Sequence, residues 1–243
     1  VRGRVALRSE LVIAFEYGTA TPWVYRHDDG RLRAVAGPEA LCLASPVPMA
    51  ADDRQITADL SVGEGDRLAF VLAWHPSHLQ PPPPIDGLAS LDDSMAWWEE
   101  WAGRCTYDGE WGDLVMRSLL TLKALTYAPT GGIVAAPTTS LPEQIGGVRN
   151  WDYRYCWLRD ATFTLYSLLV AGYEDEALAW RDWLLRAVAG EPDEMQIMYG
   201  PAGERRITEL ELPWLPGYEG SAPVRIGNAA SSQFQLDIYG EIL

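Results

Sequence analysis

The sequence predicts a multidomain protein in which a β domain precedes an α-helical domain. Residues 1–79 contain many short apolar runs separated by turn residues, which is typical of an antiparallel β-sandwich. The second half alternates amphipathic helical segments with long loops, which is typical of a helical barrel whose loops form a site at one end. Between the two parts, Pro81 to Pro84 form a run of four prolines that we interpret as a stiff spacer at the domain boundary.

The predicted strands of the first part are apolar runs, several of them rich in β-branched or aromatic residues. We place turns at residues 27–30 and 63–66, and we expect the second turn to join the last two strands as a hairpin. The predicted strands are Val5–Arg8, Leu11–Phe15, Trp23–Arg26, Leu32–Val35, Leu41–Leu43, Ile56–Val62 and Leu68–Trp74.

Apolar residues at spacings of three and four predict helices in the rest of the chain. We assign residues 80–107 to a proline-rich linker with a linker helix, and residues 108–243 to the second domain. The loop over residues 129–157 is long and too apolar for disorder, so we expect it to be ordered and functional. The predicted helices are Leu88–Ala102, Trp111–Tyr127, Ala161–Ala171, Glu174–Val188 and Ala229–Leu243.

The composition is that of an ordinary soluble globular protein, with 48% hydrophobic and 22% charged residues. The net charge of −15 argues against nucleic acid or an anionic membrane as a partner and suits a neutral substrate. Three widely spaced Cys residues predict a cytoplasmic protein without a disulfide framework. The chain begins at Val1 without Met and ends within a helical pattern, so we interpret it as part of a longer protein. A homo-oligomer is compatible with the sequence, which leaves the oligomeric state open.

The most distinctive stretch covers residues 150–163, with five aromatic residues, two Arg and two Asp. A sugar site needs aromatic faces for the ring and charged groups for the hydroxyls, and a charged hydrogen bond contributes roughly 1.5–3 kcal/mol. Arg159 and Asp160 lie at the start of a predicted helix, which would hold both side chains rigidly. The alternative interpretation is an aromatic cluster at the edge of the core with a local ion pair.

Other chemistries find less support in these residues. A nucleophilic Ser or Cys needs a His base, but all three His lie in the strand half, away from Ser221 and Cys156. His75 and His78 lack a third ligand nearby, so we predict no metal site, and no cofactor is predicted. We interpret Cys156 as a small buried hydrophobic residue.

A pair of carboxylates could hydrolyse a glycoside, with a protonated acid and an ionised base roughly 6.5–9.5 Å apart in an inverting enzyme. We interpret most of the nearby carboxylates as surface or helix-cap charges. Asp160 differs because it adjoins Arg159: an ionised Asp beside Arg accepts hydroxyl hydrogen bonds well and donates a proton poorly. The candidates are Asp152, Asp160, Glu209, Glu211 and Glu219.

The run Tyr153–Asp160 resembles the Y-x-Y-x-W-x-R-D signature of glycoside hydrolase family 15, which includes glucoamylases, glucodextranases and bacterial trehalases. The segments 135–143 and 217–230 resemble its bacterial members. The resemblance implies an N-terminal β-sandwich, a linker helix and the first helices of an (α/α)6 barrel, truncated. It also implies an inverting, exo-acting hydrolase that releases glucose from α-glucans, as a glucan 1,4-α-glucosidase, or from trehalose.

By position, the resemblance implies substrate-binding roles for Arg159, Asp160, Trp157, Tyr153, Arg225, Asn228 and Trp214. The first two would hold the hydroxyls of the terminal glucose. Trp157 would line that pocket, and Tyr153 would lie near the attacking water. Arg225 and Asn228 would lie in the loop that closes the site, and Trp214 would lie at its entrance.

The sequence departs from the family in its catalytic groups. In the family, the general acid is a Glu in an Ile-Trp-Glu-type segment and the base is a Glu much further along the chain, and neither segment is present here. We therefore predict no catalytic residue within this chain, expect both beyond Leu243, and expect the chain alone to be inactive. A non-catalytic carbohydrate-binding protein and a purely structural helical domain are the alternatives. Trehalose and α-1,4-glucans stay equally open, because both present the same glucose to the inner subsite.

Overall fold

The structure is a computed structural model that describes residues 3–52 and 55–242. It is a mixed β and α structure with two compact units, residues 1–98 and 99–243. The boundary between the units lies within helix α1 (Gly87–Ala102). Among the described residues, no helix is both long enough and apolar enough to cross a membrane. The sequence-based division at residues 79 and 107 stays a prediction.

The first unit contains two antiparallel sheets. The order of strands is β2-β3-β4-β7 in one sheet and β1-β6-β5 in the other. Leu32, Ala34 and Leu43 from the first sheet and Ile56 from the second belong to one buried cluster, because alternate residues of a strand point to the same face. The strands are β1 (Val5–Val12), β2 (Trp23–Arg26), β3 (Leu32–Ala36), β4 (Glu39–Ala44), β5 (Ala50–Ala51), β6 (Gln55–Val62) and β7 (Val71–Pro76).

Two predictions about the strands are wrong. Residues 5–12 form one strand rather than parts of two, because the whole of β1 pairs with β6. The turn at residues 63–66 is present, with Gly63 N donating to Asp66 Oδ2 at 2.7 Å, but it is not a hairpin. It leads from β6, which pairs with β1 and β5, to β7, which pairs with β4 in the other sheet. The predicted hairpin turn at residues 27–30 is confirmed between β2 and β3.

In the second unit, the predicted helices are present with shifted ends, and the last one is partly wrong. Residues 126–127, predicted as helical, form a short strand, and the helix predicted from Ala161 begins at Leu158. Helix α3 packs against the other three helices of the unit. The helices are α2 (Gly112–Ala124), α3 (Leu158–Val170), α4 (Glu174–Ala187) and α5 (Asp237–Ile242). The short strands are β8 (Thr126–Tyr127), β9 (Gly132–Ile133), β10 (Cys156–Trp157), β11 (Met198–Tyr199), β12 (Leu210–Glu211) and β13 (Arg225–Ile226).

The helix predicted from Ala229 is wrong over its first half. Residues 229–232 form a 3-10 turn, which the Asn228 side chain caps by accepting a hydrogen bond from Ala230 N at 3.0 Å. The backbone is extended at Gln233, so helix α5 begins only at Asp237. Its predicted end at residue 243 lies outside the described residues.

The core of the second unit is built from aromatic residues of α4 and β11. Trp180 and Trp183 stack at 4.4 Å between ring centroids, and the edge of Trp183 meets Tyr199 at 6.2 Å. Trp183 Nε1 donates to the Pro201 carbonyl at 2.8 Å. Because Cys156 of β10 belongs to the same buried cluster, this core fixes the strand that leads into helix α3.

A buried ion pair joins α2 to α4. Glu176 Oε1 lies 2.8 Å from Lys123 Nζ and accepts a hydrogen bond from Trp101 Nε1 at 2.7 Å. Burial alone would raise the pKa of Glu176, but the hydrogen bonds from Lys123 and Trp101 lower it, so the net pKa lies below its ordinary value. Glu176 therefore stays ionised and ties three parts of the unit together.

Candidate functional site

The long loop after α2 is ordered by backbone pairing, as predicted. Ala136 N donates to the Tyr153 carbonyl and Ser140 N to the Trp151 carbonyl, each at 2.9 Å. Residues 135–140 therefore run alongside residues 151–155, so the aromatic stretch forms one arm of a folded loop. The second long segment pairs with itself through β12 and β13.

Asp152 is the residue that joins these two loops. It is 0% exposed, and its carboxylate accepts bonds from Arg154 Nε at 2.8 Å, Arg154 Nη2 at 2.7 Å and Gly227 N at 3.1 Å. Its carbonyl accepts a bond from Asn228 Nδ2 at 3.0 Å. Both carboxylate oxygens are thus occupied by protein donors, which makes Asp152 a structural anchor rather than a general acid or base.

Gly227 allows the close approach of the second loop. Its φ is +75°, and a Cβ atom at this position would clash with the Thr208 carbonyl oxygen. Glycine alone has neither the strain nor the clash, so the backbone can bring the Gly227 N–H to Asp152.

Arg225 is the second link between the loops. Its guanidinium lies over the Trp151 ring at 4.7 Å from the centroid, and Nη1 donates to the Val148 carbonyl at 2.9 Å. Nη2 donates to Glu211 at 3.1 Å, and Nε lies 3.4 Å from Glu209 Oε1. The Arg225 side chain is 11% exposed, so its charge is balanced within the protein by Glu209 and Glu211, beside the Trp151 ring.

These loops surround an open pocket of about 400 Å³, which we call the tryptophan pocket. Its size falls in the range of small-molecule sites, and it combines aromatic faces with a few polar groups. Tyr153 and Trp157 lie 5.8 Å apart at a 45° tilt. Burial raises the pKa of Tyr153, so its hydroxyl stays protonated near neutral pH. The lining residues are Trp151, Tyr153, Trp157, Glu209, Asn228, Ala229, Ala230 and Gln233.

Arg159 and Asp160 lie in the first turn of helix α3. Leu158 N donates to the Ile197 carbonyl at 3.1 Å, which fixes the helix start. Arg159 Nη2 lies 3.4 Å from Asp160 Oδ2, and Nη1 lies 3.1 Å from Asp237 Oδ2. The side chains of the pair are 46% and 53% exposed, so both charges stay accessible.

Asp160 lines a second pocket of about 290 Å³, which also reaches Leu122 of α2 and Leu125, the residue that follows this helix. Trp157 lines this pocket as well as the tryptophan pocket. Trp157 therefore belongs to the lining of both pockets, the aromatic one and the one that contains Asp160.

The structure places the predicted site residues in different surroundings. Tyr153, Trp157 and Asn228 line the tryptophan pocket, and Trp157 and Asp160 line the second pocket. Arg159 and Arg225 line neither of these two pockets. Trp214 is 51% exposed and lines neither pocket.

Sequence reasoning did not single out Trp151 or Gln233 as lining residues, and it treated Glu209 only as a candidate acid or base. The alternation of Trp151 and Tyr153 along one extended segment was a usable signal, because residues two apart share a face. The position of Gln233 depends on the extended backbone where a helix was predicted.

Cys156 is 0% exposed, and burial raises the pKa of its thiol to about 12. The predicted buried, unreactive Cys is confirmed, because the thiolate is the reactive form. In the part of the chain that the structure describes, no three His, Cys, Asp or Glu side chains cluster as metal ligands.

The sequence model of glycosyl hydrolases family 15 matches residues 109–243. A trehalase from Mycolicibacterium smegmatis is 38% identical over the whole chain, which covers 38% of that protein. A trehalase from Mycobacterium tuberculosis is 39% identical, with 37% of its length covered. A trehalase from Thermoplasma acidophilum is 35% identical over 95% of the chain, which covers 39% of that protein.

The chain therefore spans less than half the length of these curated relatives. No solved structure gives a significant match. The family match includes every lining residue of both pockets. Because it also covers more than half of the chain, this chain belongs to glycosyl hydrolases family 15.

Proposed function

We propose that this chain is the glucose-binding part of an inverting, exo-acting glycoside hydrolase whose substrate is trehalose. The observation that carries the proposal is that Trp157 lines both the tryptophan pocket and the pocket of Asp160, so the aromatic faces and the exposed Arg159–Asp160 pair are neighbours. Aromatic faces and accessible charged hydrogen-bonding groups are what a neutral sugar requires. The trehalase names of the relatives support trehalose as the substrate.

In this proposal, Arg159 and Asp160 bind hydroxyls of the terminal glucose. Arg159 donates, and Asp160 accepts through the carboxylate oxygens that the protein leaves accessible. Trp157 and Tyr153 form the aromatic wall, and Asn228 lines the opposite loop, where the hydrogen bonds of its side-chain amide with Asp152 and Ala230 hold the edge of the pocket. Arg225 acts from behind Trp151 by holding the closing loop, and Trp214 lies toward the entrance.

We assign no general acid or base to this chain. Asp152 is buried and fully hydrogen-bonded, which removes one of the carboxylates considered from the sequence. The chain supplies binding and orientation, which set the position of the scissile bond.

We also propose that the two sheets of the first unit are the family's β-sandwich. The helices of the second unit would then be the first helices of an (α/α)6 barrel. The shared core of the two sheets supports the first assignment. The packing of α3 against α2 and α4 supports the second.

The proposal is tested by measuring glucose release from trehalose and maltotriose, by this chain and by a longer protein that contains it. We expect the longer protein to hydrolyse trehalose and Asp160→Asn to lower kcat/KM at least 100-fold. Preference for maltotriose would assign the site to α-1,4-glucans, which is the remaining alternative. Wild-type kinetics in Asp160→Asn would overturn the assigned role.

A further inference from the structure

We propose that Glu209 accepts a hydrogen bond from a hydroxyl group of the sugar bound in the tryptophan pocket. The inference rests on the proposed function, since it concerns the same site. It gives a substrate-contact role to a carboxylate that belongs to neither the Arg159–Asp160 pair nor the aromatic stretch.

The first support is position. Glu209 lines the tryptophan pocket together with Trp151, Tyr153 and Trp157. Its side chain is 22% exposed, so it is held by the protein and still reachable from the pocket.

The second support is the way the carboxylate is held. Oε1 lies 3.4 Å from Arg225 Nε, and Oε2 accepts a hydrogen bond from Ala229 N at 3.1 Å. An ionised carboxylate has about four acceptor sites, so each oxygen keeps capacity for a further bond. The two partners fix the orientation of the group before a sugar binds, which reduces the entropy lost on binding.

The third support is the contrast with Glu211, which pairs with the same arginine. Glu211 Oε1 accepts from Arg225 Nη2 at 3.1 Å, but its side chain is 59% exposed and does not line the pocket. The two carboxylates therefore share a partner and differ in access to the pocket, which makes Glu211 a matched control.

The experiment measures dissociation constants for D-glucose and trehalose by titrating tryptophan fluorescence of the whole chain. We expect Glu209→Gln to raise both constants about tenfold, because a charged acceptor is replaced by a neutral one that bonds about half as strongly. Glu211→Gln should stay within twofold of the wild type. Glu209→Asp keeps the charge beside Arg225 but withdraws it from the pocket, so it should also weaken binding.

Deoxy sugars separate a direct contact from an indirect effect. The wild type and Glu209→Gln are titrated with 2-, 3-, 4- and 6-deoxy-D-glucose. For the analogue that lacks the bonded hydroxyl, the two proteins should have equal constants, whereas the tenfold difference persists for the others. A purely structural role would give the same ratio for every analogue and would overturn the inference.

The binding measurements give different results if the role of Glu209 is wrong and if the proposed function is wrong. If the wild type binds glucose and Glu209→Gln and Glu209→Asp bind equally well, Glu209 is not a contact and the proposed function stands. If the wild type binds neither glucose nor trehalose, both proposals are wrong. Thermal unfolding midpoints of each variant confirm that the compared proteins are folded.

Discussion

Two Arg–Asp pairs lie within one stretch of nine residues, 152–160, and their aspartates differ in burial. Asp152 is 0% exposed and accepts bonds from Arg154 and Gly227. Asp160 is 53% exposed beside Arg159, at the start of a helix. The Asp152 carboxylate is enclosed by the loops it joins, although Arg154 is 34% exposed, whereas both side chains of the second pair are accessible to solvent.

We expect this difference in burial to give the two pairs different roles, one in the stability of the fold and the other in sugar binding. A buried carboxylate without its partners destabilises the folded state strongly. We therefore expect the Asp152 pair to stabilise the folded loops. An exposed ion pair contributes little to stability, so the Arg159–Asp160 pair is free to exchange water for sugar hydroxyls. The same residue types therefore serve two purposes, and burial decides which.

The largest expected effect comes from breaking the buried pair. We expect Asp152→Asn to lower the free energy of unfolding by about 3–4 kcal/mol, because several bonds to a fully buried carboxylate lose their charged acceptor and the new amide group faces the N–H donors of Arg154 or Gly227. Urea unfolding followed by circular dichroism measures the change.

Asp182→Asn is the matched control, because Asp182 pairs with Arg181 at 2.8 Å on the surface, with side chains 55% and 61% exposed. We expect a change below about 0.5 kcal/mol in this control. Equal losses in Asp152→Asn and Asp182→Asn would contradict the role of burial.

Glu176 and Lys123 form a second pair with a buried carboxylate, away from the pockets, and test whether burial sets the contribution to stability. We expect Glu176→Gln to lower the free energy of unfolding by about 2–3 kcal/mol at pH 7, because Lys123 loses its ionised partner. The pKa of Glu176 is lowered in the folded state, so its stabilisation is present above the unfolded value, about 4.3, and is lost as the pH falls through the folded value.

The pH dependence of unfolding checks this prediction. The gap in stability between the wild type and Glu176→Gln should be constant from pH 7 to about 5 and should narrow below about 4.3. A gap that grows as the pH falls would have the wrong sign for a lowered pKa.

The smallest expected effect on stability comes from the exposed pair. Arg159 contacts both Asp160 and Asp237, at 3.4 Å and 3.1 Å, but its side chain is 46% exposed. We expect Arg159→Gln to change the free energy of unfolding by less than about 0.5 kcal/mol. A loss above about 1 kcal/mol would show that this pair also holds the fold together.

Local patterns predicted helix α1 well even though its periodic apolar residues Leu88, Leu91 and Met95 are exposed. Helix α1 was predicted to within one residue, because the apolar spacing reflects its own geometry. The turn at residues 63–66 was identified correctly, but no local pattern shows that the strands it connects belong to different sheets.

The prediction of a helix from Ala229 was wrong because it also relied on a local apolar pattern. Phe234 and Leu236 fit a helical pattern, yet they are 72% and 75% exposed, because the Asn228 cap and the extended Gln233 interrupt the helix. The side-chain cap that ends the loop competes with the helix that the pattern favours.

The site was predicted from residue types, and its geometry required the structure. The aromatic and charged stretch indicated the Arg159–Asp160 pair, and the family resemblance added Trp157 and Tyr153. The burial of Asp152 and the access of Glu209 to the pocket depend on contacts with residues more than 15 positions away, such as Gly227 and Arg225. Such long-range contacts leave no periodic signal in the sequence.

The most direct test of the exposed pair is the dissociation constant for trehalose, measured by isothermal titration calorimetry on the wild type and Asp160→Asn. Thermal unfolding midpoints are recorded on the same samples. We expect binding to weaken at least tenfold while the midpoint stays within about 1 °C, since an exposed pair can lose its charge without destabilising the fold. Equal affinity in the two proteins would contradict the assignment of Asp160 to the sugar.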